Sequence, residues 1–298
     1  MSNVGVSDLV LVTGSTGKTG RSLISLLTDG GVVHRAASRN GEPPFDWSMP
    51  DTWDAALEGV GSVYLVAPIA VDDAYSRMVA FLQSAMRKGA RRFVLLSMAS
   101  LPAGGPGPGQ VHLWLKDNSK DWAVLCPSAF MQNFSEGPYL ASIRDEDTIY
   151  SNTGAGRVPF ISTVDIARAA FAALTAPSPL NSDFTLTGDE SISYDRVAEL
   201  LSQACGRPIS HTHISTEAMA KRFLDRGLPE RNATFLAAVY QTIADGAQDR
   251  TAEGLRILTG RPSTTFQAFA EANADVWTRT SGGGLANSPS ALSRQPSR

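Results

Sequence analysis

One stretch restricts this chain more than any other. Asp8 to Thr13 (DLVLVT) runs into Gly14-Ser-Thr-Gly17-Lys-Thr-Gly20, and from Arg21 to Thr28 (RSLISLLT) leucines and isoleucine recur at helical spacing. An aliphatic strand, a glycine-rich turn and an amphipathic helix, in that order, open a dinucleotide-binding βαβ unit. Gly14 suits a tight turn, Gly17 lets the backbone approach a pyrophosphate at the positive end of the helix, and Gly20 lets helix and strand pack closely. Ser15, Thr16, Lys18 and Thr19 share the turn and are candidate cofactor contacts. The G-K-[ST] of a P-loop is not at the position that motif requires, which disfavours ATP.

Further along, short apolar runs alternate with segments of helical length. Val32–Ala37, Ser62–Val66, Arg92–Leu96 and Trp122–Leu125 read as strands, and Thr52–Leu57 and Tyr75–Arg87 as helices between them. The pattern predicts an α/β Rossmann domain over residues 1–153, a doubly wound parallel sheet with helices on both faces. Beyond Gly154 longer helical patterns take over, at Asp165–Thr175, Tyr194–Ala204, Thr216–Arg226 and Glu230–Ala244, broken by one strand-like piece, Asp183–Thr187. Residues 154–280 are therefore assigned to a smaller, mostly helical substrate cap whose elements are free to interleave with the sheet. Residues 281–298, rich in Ser, Gly and Pro with two leucines, are expected to be a disordered tail.

Composition narrows the class. With 298 residues, 43% hydrophobic and 18% charged, the chain can bury a large core. Its 26 Lys and Arg against 29 Asp and Glu, a net charge of −3, offer no basic field for nucleic acid. No apolar run approaches the roughly eighteen residues of a membrane span, and Met1 to Asp8 lacks the features of a signal peptide, so a cytoplasmic protein without a membrane partner is expected. Cys126 and Cys205 are too few for a disulfide framework and too far apart for a zinc knuckle, and read as buried small hydrophobes. Nothing in the sequence sets the oligomeric state.

Cofactor choice is read at the end of the second strand, where a carboxylate would accept hydrogen bonds from a ribose and repel a 2′-phosphate. The chain there is Ala36-Ala37-Ser38-Arg39-Asn40. It has no acid, and Arg39 offers a planar, permanently charged donor array suited to phosphate, so NADPH is the expected cofactor.

The turn GSTGKTG, the pair Ser38-Arg39, Phe45-Asp46-Trp47 and the strand RRFVLLS ending at Ser97 together resemble a known family. So do Gly104-Gly-Pro followed by His112, Pro127-Ser-Ala-Phe130-Met-Gln-Asn133-Phe134, Thr148-Ile-Tyr-Ser151 and Val158-Pro-Phe-Ile-Ser-Thr-Val-Asp165. Over most of Leu9 to Trp277 the chain resembles the NmrA-type atypical short-chain dehydrogenases, in the branch of the festuclavine and agroclavine dehydrogenases. The resemblance implies that Asp46 and Trp47 flank the adenine and that Ala67, Pro68, Ser97 and Met98 lie beside the dinucleotide. It also implies that Pro127, Ser128 and Phe130 border the nicotinamide, and that the reaction is reduction of an iminium carbon of a small molecule.

Ordinary short-chain dehydrogenases use Tyr-x-x-x-Lys, in which lysine lowers the tyrosine pKa so that it can protonate a developing alkoxide. That tyrosine is missing. The nearest pattern is His112-Leu-Trp-Leu-Lys116, the same separation, which on a helix puts both groups on one face. His112 is a candidate proton donor, a candidate hydrogen-bonding partner of the cofactor or backbone, or, with Lys116, part of a solvated helix face. Lys116 also departs from the NmrA-like pattern, which often has an acid there. An iminium substrate removes the difficulty, because its carbon is already electrophilic and needs orientation in a dry pocket more than a proton. Phe130, Met131, Phe134, Tyr139 and Phe160 are the candidate walls, and for an aromatic cluster ordinary core packing is the competing reading.

The remaining constellations are weaker. Asp72-Asp73 either faces a ligand near a strand exit or caps the helix at Tyr75, and Asp165 reads as a helix cap. His211-Thr-His213 points both imidazoles to one side of a strand, but no third ligand is evident, and no metal is assigned. The expected function is an NADPH-dependent imine or iminium reductase. The alternatives are an enone or quinone reductase, in which His112 matters more, and a non-catalytic NADP(H)-sensing regulator.

Overall fold

The computed structural model describes residues 9–68 and 73–279. Six strands form one parallel sheet: β1 (Leu9–Val12), β2 (His34–Ala36), β3 (Val60–Val66), β4 (Arg92–Leu96), β5 (Asp121–Pro127) and, much later, a strand at Ser182–Leu186. Alternate side chains go to opposite faces, and both faces are apolar, as a sheet covered on both sides requires. Leu11, Val63, Leu65, Phe93, Leu95 and Val124 meet α2 (Trp53–Ala56), α3 (Ala74–Arg87) and α4 (Pro108–Asn118). Val10, Val12, Tyr64, Val94, Ala123 and Leu125 meet α1 (Lys18–Asp29) and a later helix, Thr163–Leu174. Where Thr52–Leu57 reads as one helix, the chain makes a 3-10 turn, Pro50–Thr52, before the single turn of α2.

After β5 the chain builds α5 (Gln132–Ser135), α6 (Leu140–Glu146), β6 (Thr148–Ser151) and β7 (Arg157–Val158), then returns to the sheet through α7 (Thr163–Leu174) and β8 (Ser182–Leu186). The strand order is β2-β1-β3-β4-β5-β8. Strand β8 pairs in parallel with β5, and α7 packs beside α1 on the same face of the sheet. The segments Asp165–Thr175 and Asp183–Thr187, assigned to the cap on sequence position, thus belong to the sheet layer. The reason is register: β5 would otherwise present an unpaired edge, and Ser182–Leu186 fills it. Asp165 is not the cap of α7. Ser162 is, accepting from the Val164 N–H, while buried Asp165 binds Arg168 at 2.6 Å and the Thr264 N–H at 2.7 Å.

The chain then leaves again through β9 (Ile192–Ser193), α8 (Tyr194–Cys205), β10 (Ser210–His213), α9 (Thr216–Leu224) and α10 (Glu230–Ala244), and ends with α11 (Gly254–Thr259) and α12 (Phe266–Ala272). Two small sheets, β10-β6 and β7-β9, and a core rich in aromatic side chains organise this half. Trp277 is fully buried there, and its indole N–H donates to the Phe134 carbonyl at 2.8 Å. Cys126 is buried and burial pushes its thiol up to about 12, whereas Cys205 is only half-buried, because it sits at the end of α8 beside the turn to β10. The tail expectation for 281–298 and the residue Asp72 lie outside the described residues. Asp73 precedes α3 in a left-handed conformation, and its carboxylate accepts from the Ser76 hydroxyl at 2.8 Å.

Candidate active site

The turn after β1 is built around two glycines. Gly14 has φ +63, a region that disfavours side chains, and a Cβ there would stand 3.0 Å from that of Val66. A Cβ on Gly20 would lie 2.2 Å from the Gly14 carbonyl oxygen and 2.8 Å from Ser15 Cα, so the helix can pass the turn only without one. Gly17 is the N-cap of α1 and supplies no side-chain cap. The first N–H groups of a twelve-residue helix are thus left for an anion, which their dipoles also favour. The turn is tied down on both sides. The Ser15 hydroxyl donates to the Ala37 carbonyl at 2.8 Å, and the Thr13 hydroxyl bridges the Tyr64 carbonyl and the Val66 N–H, both at 2.9 Å.

In this strand order the chain moves to opposite sides of β1 on its way to β2 and to β3, the switch point beyond whose carboxyl ends open α/β sheets bind their ligands. Ser38 and exposed Arg39 follow β2, half-buried Ala67 and Pro68 follow β3, Ser97 and Met98 follow β4, and Pro127 and Ser128 end β5. The Ser97 N–H donates to the Leu125 carbonyl at 2.8 Å and the Ala99 N–H to the Pro127 carbonyl at 2.9 Å, holding the last two exits side by side. The Ser128 hydroxyl donates to the Pro159 carbonyl. Trp47, which follows Asp46, packs as a core side chain. It stands edge-on to Phe45, Trp53 and Phe81, and the Asp46 carboxylate accepts from the Ser48 N–H at 2.7 Å. These three edge-on aromatic contacts hold the Trp47 ring in place.

Lys18 makes a link that the motif does not announce. Its ammonium donates to Asn133 Oδ1 at 3.1 Å and to the Gln132 carbonyl at 3.4 Å, and burial lowers its pKa, with Glu136 opposing. Gln132 in turn accepts from the Thr163 N–H at 2.8 Å and donates to the Ser162 hydroxyl at 3.2 Å. The glycine turn, α5 and the start of α7 therefore form one polar brace, with the half-buried Phe130 beside it, joined to Ile161 by an isolated β-bridge.

The other wall candidates fall in the core. Met131, Phe134, Tyr139 and Phe160 are all 2% exposed or less; Phe134 stacks on Tyr139 at 4.9 Å and meets Phe160 edge-on at 5.4 Å. Met131 and Phe160 also line a small cleft with Ile192 and Phe266. Tyr194 and Tyr240, which sequence reading passed over, complete the aromatic cluster, and burial raises the pKa of all three tyrosines, keeping them neutral.

His112 and Lys116 share α4 but not an environment. His112 is 5% exposed, its Nδ1 buried without a hydrogen-bond partner, and Lys116 is exposed. Burial lowers the imidazole pKa, with Asp183 pulling it up and Lys116 pushing it down. The ring lies 5.7 Å from that of Trp122, the second residue of β5. Trp122 is five residues, about 16 Å, upstream of the carboxyl end at Pro127.

Comparison with known proteins decides the family. The chain is 36% identical over 284 residues to an agroclavine dehydrogenase of Claviceps fusiformis, covering 90% of this chain and 98% of that protein. It is 36% identical over 292 residues to a festuclavine dehydrogenase of Aspergillus fumigatus, covering 91% and 99%. The chain belongs to the clavine dehydrogenase family. An NAD(P)H azoreductase of Xenophilus azovorans is a further relative of this clavine dehydrogenase homologue, 30% identical over 285 residues, covering 89% and 98%. Among solved structures, an Escherichia coli NADPH-dependent quinone oxidoreductase superposes with a TM-score of 0.74 at 19% identity, over 89% of this chain and 99% of that one. An NmrA mutant superposes with a TM-score of 0.71 at 14% identity, over 92% and 97%. No family model matches the sequence. As a clavine dehydrogenase homologue the protein is an NAD(P)-dependent oxidoreductase with an NmrA-like Rossmann fold.

Proposed function

We propose that the protein is an NADPH-dependent reductase of a C=N bond, an iminium or cyclic imine in a small heterocyclic metabolite, in alkaloid or other secondary-metabolite assembly. One observation carries this reading: of the two residues at tyrosine-lysine spacing, one is buried against Trp122 and the other points to solvent, so neither is built to protonate an alkoxide at the strands' carboxyl ends. An iminium carbon asks for no such group. The cradle suits the cofactor, because Gly14 and Gly20 leave the space a Cβ would fill and α1 presents uncapped N–H groups. Gly17, Lys18 and Thr19 would hold the pyrophosphate and Ser38 and Arg39 the 2′-phosphate, and the cofactor, when bound, supplies the hydride. Phe130, at the exit of β5, sets the approach of the substrate. Met131, Phe134, Tyr139 and Phe160 form the dry wall behind it, where water is excluded and an aromatic face tolerates positive charge.

The test is anaerobic single-turnover reaction of NADPH-loaded enzyme with a panel of cyclic iminium, enone and quinone compounds, following nicotinamide absorbance. Iminium compounds are expected to be reduced, with His112→Ala slowing the step by less than about tenfold, against the 10²–10⁴ of general acid catalysis. Phe130→Ala is expected to cost on the order of 100-fold through misplacement. A loss above 100-fold in His112→Ala with NADPH affinity intact overturns the reading. Reduction of quinones or enones alone reassigns the substrate, and reduction of nothing reassigns the protein as a binding module.

A further inference from the structure

The pair His211-Thr-His213 lacks a third donor in sequence, and the fold supplies one. Strand β10 pairs in parallel with β6, His211 opposite Ile149 and His213 opposite Ser151, and its alternation puts both imidazoles on one side with ring centroids 4.4 Å apart. Helix α8 starts on the same side, and Asp195 in its first turn brings a carboxylate oxygen to 2.9 Å from His211 Nδ1. One donor atom from each of Asp195, His211 and His213 lies within 4.8 Å of the other two. The other nitrogen of His211, Nε2, stands 2.7 Å from the Ser151 hydroxyl, which is 2.6 Å from that of Thr153. The geometry points to a three-residue site for a borderline divalent cation such as Zn²⁺, with His211, His213 and Asp195 as ligands and Ser151 as the partner that orients His211.

The chemistry of the set fits that class of ion. Two imidazoles and one carboxylate form a three-ligand zinc set that leaves water a fourth position. Burial differs usefully among them. The His211 side chain is fully buried and held on both nitrogens, while His213 and the Asp195 carboxylate, 57% exposed, are open to solvent, so an ion can enter and two ligands can adjust around a fixed third. Metal-bound histidines commonly donate their second N–H to an oxygen, the place Ser151 takes. With the ion on Nδ1, the imidazole proton resides on Nε2 and is donated to Ser151 Oγ. That hydroxyl then turns its own hydrogen to Thr153 Oγ1, so a neutral His211 binds without net proton loss. Calcium and magnesium, which prefer all-oxygen shells, are poor occupants. The ion would join β10 to the start of α8, where Tyr194 packs on His211 with ring centroids 5.6 Å apart and anchors the aromatic core.

The experiment is titration of the full chain with Zn²⁺ alone, by calorimetry and by thermal shift, with Co²⁺ as an absorbing substitute. One equivalent is expected to bind saturably and raise Tm, while Mg²⁺ does neither. His213→Ala and Asp195→Asn alter exposed side chains, and circular dichroism checks that both fold. Each is expected to weaken Zn²⁺ by at least the 10- to 100-fold seen for lost orienting partners, and Ser151→Ala by a factor within that range. No saturable binding at millimolar Zn²⁺ overturns the proposal. So does binding that His213→Ala and Asp195→Asn leave unchanged, which would place the ion elsewhere, for instance on the Cys205 thiol.

Discussion

The glycine turn and the aromatic half differ in how far apart their parts lie in the chain. Within the turn, Gly14 and Gly20 are six residues apart and a single steric rule explains both: a Cβ at either position meets Val66 or the turn's own backbone. In the aromatic half, the Trp277 indole reaches the carbonyl of Phe134 across 143 residues, and Asn152 reaches that of Ala237 across 85. Backbone sterics shape the first region, and side chains from many elements do the packing in the second. The lesson is that binding of the dinucleotide and stability of the aromatic half should separate under mutation.

The largest effect is expected from Trp277→Ala. Removing a fully buried tryptophan and its hydrogen bond costs about 3–5 kcal/mol of stability, read by denaturant unfolding, while NADPH affinity in the folded fraction stays within a few-fold. Loss of cofactor binding in parallel would erase the contrast between the regions. Gly20→Ala does the reverse. Its Cβ would meet backbone at 2.2 Å, and overpacking of about 1–3 kcal/mol should appear chiefly as a 5- to 150-fold loss of NADPH affinity. An unchanged dissociation constant would show that the helix can shift without moving the anion site.

Arg39→Ala sharpens the cofactor side. Losing a charge-assisted contact to the 2′-phosphate should weaken NADPH by roughly 10- to 150-fold and leave NADH nearly unaltered, measured by fluorescence titration of both. Equal losses for the two cofactors would show that Arg39 does not hold the 2′-phosphate. The smallest effect is with pH. Burial lowers the pKa of both His112 and His211, so the unfolded chain takes up protons near the ordinary histidine value of about 6.5 that the folded chain resists. The stability from keeping these rings neutral is present above that value and is lost as pH falls below it towards their folded values. Tm should therefore drop between pH 7.5 and 5, and His112→Gln should flatten the drop relative to wild type.

What could be read from the sequence follows the same division. The strand, turn and helix read over 8–28, the strands read at 62–66, 92–96 and 122–125 and the helix Glu230–Ala244 all match elements of the fold to within a few residues at their ends, because period and glycine placement act locally. Position along the chain leaves open which elements join the sheet: α7 and β8 follow the first elements of the aromatic half yet complete the Rossmann layer, and no local pattern says which edge a strand will fill. The pair His112 and Lys116 shows the limit for sites. Spacing puts both on one helix, but Trp122, on the neighbouring strand, helps to bury one, and the other is left in water.

By itself the sequence determined that a glycine-rich turn joins β1 to a helix and that an arginine, without an acid, follows β2. Both are properties of contiguous residues, whose sterics and charge need no distant partner. Only the tertiary structure decided that Lys18 braces Asn133, that Trp47 is core and that Asp195 stands beside His211 and His213. Each of those depends on which elements the hydrophobic core draws together, and long-range contacts of that kind leave no period in the chain.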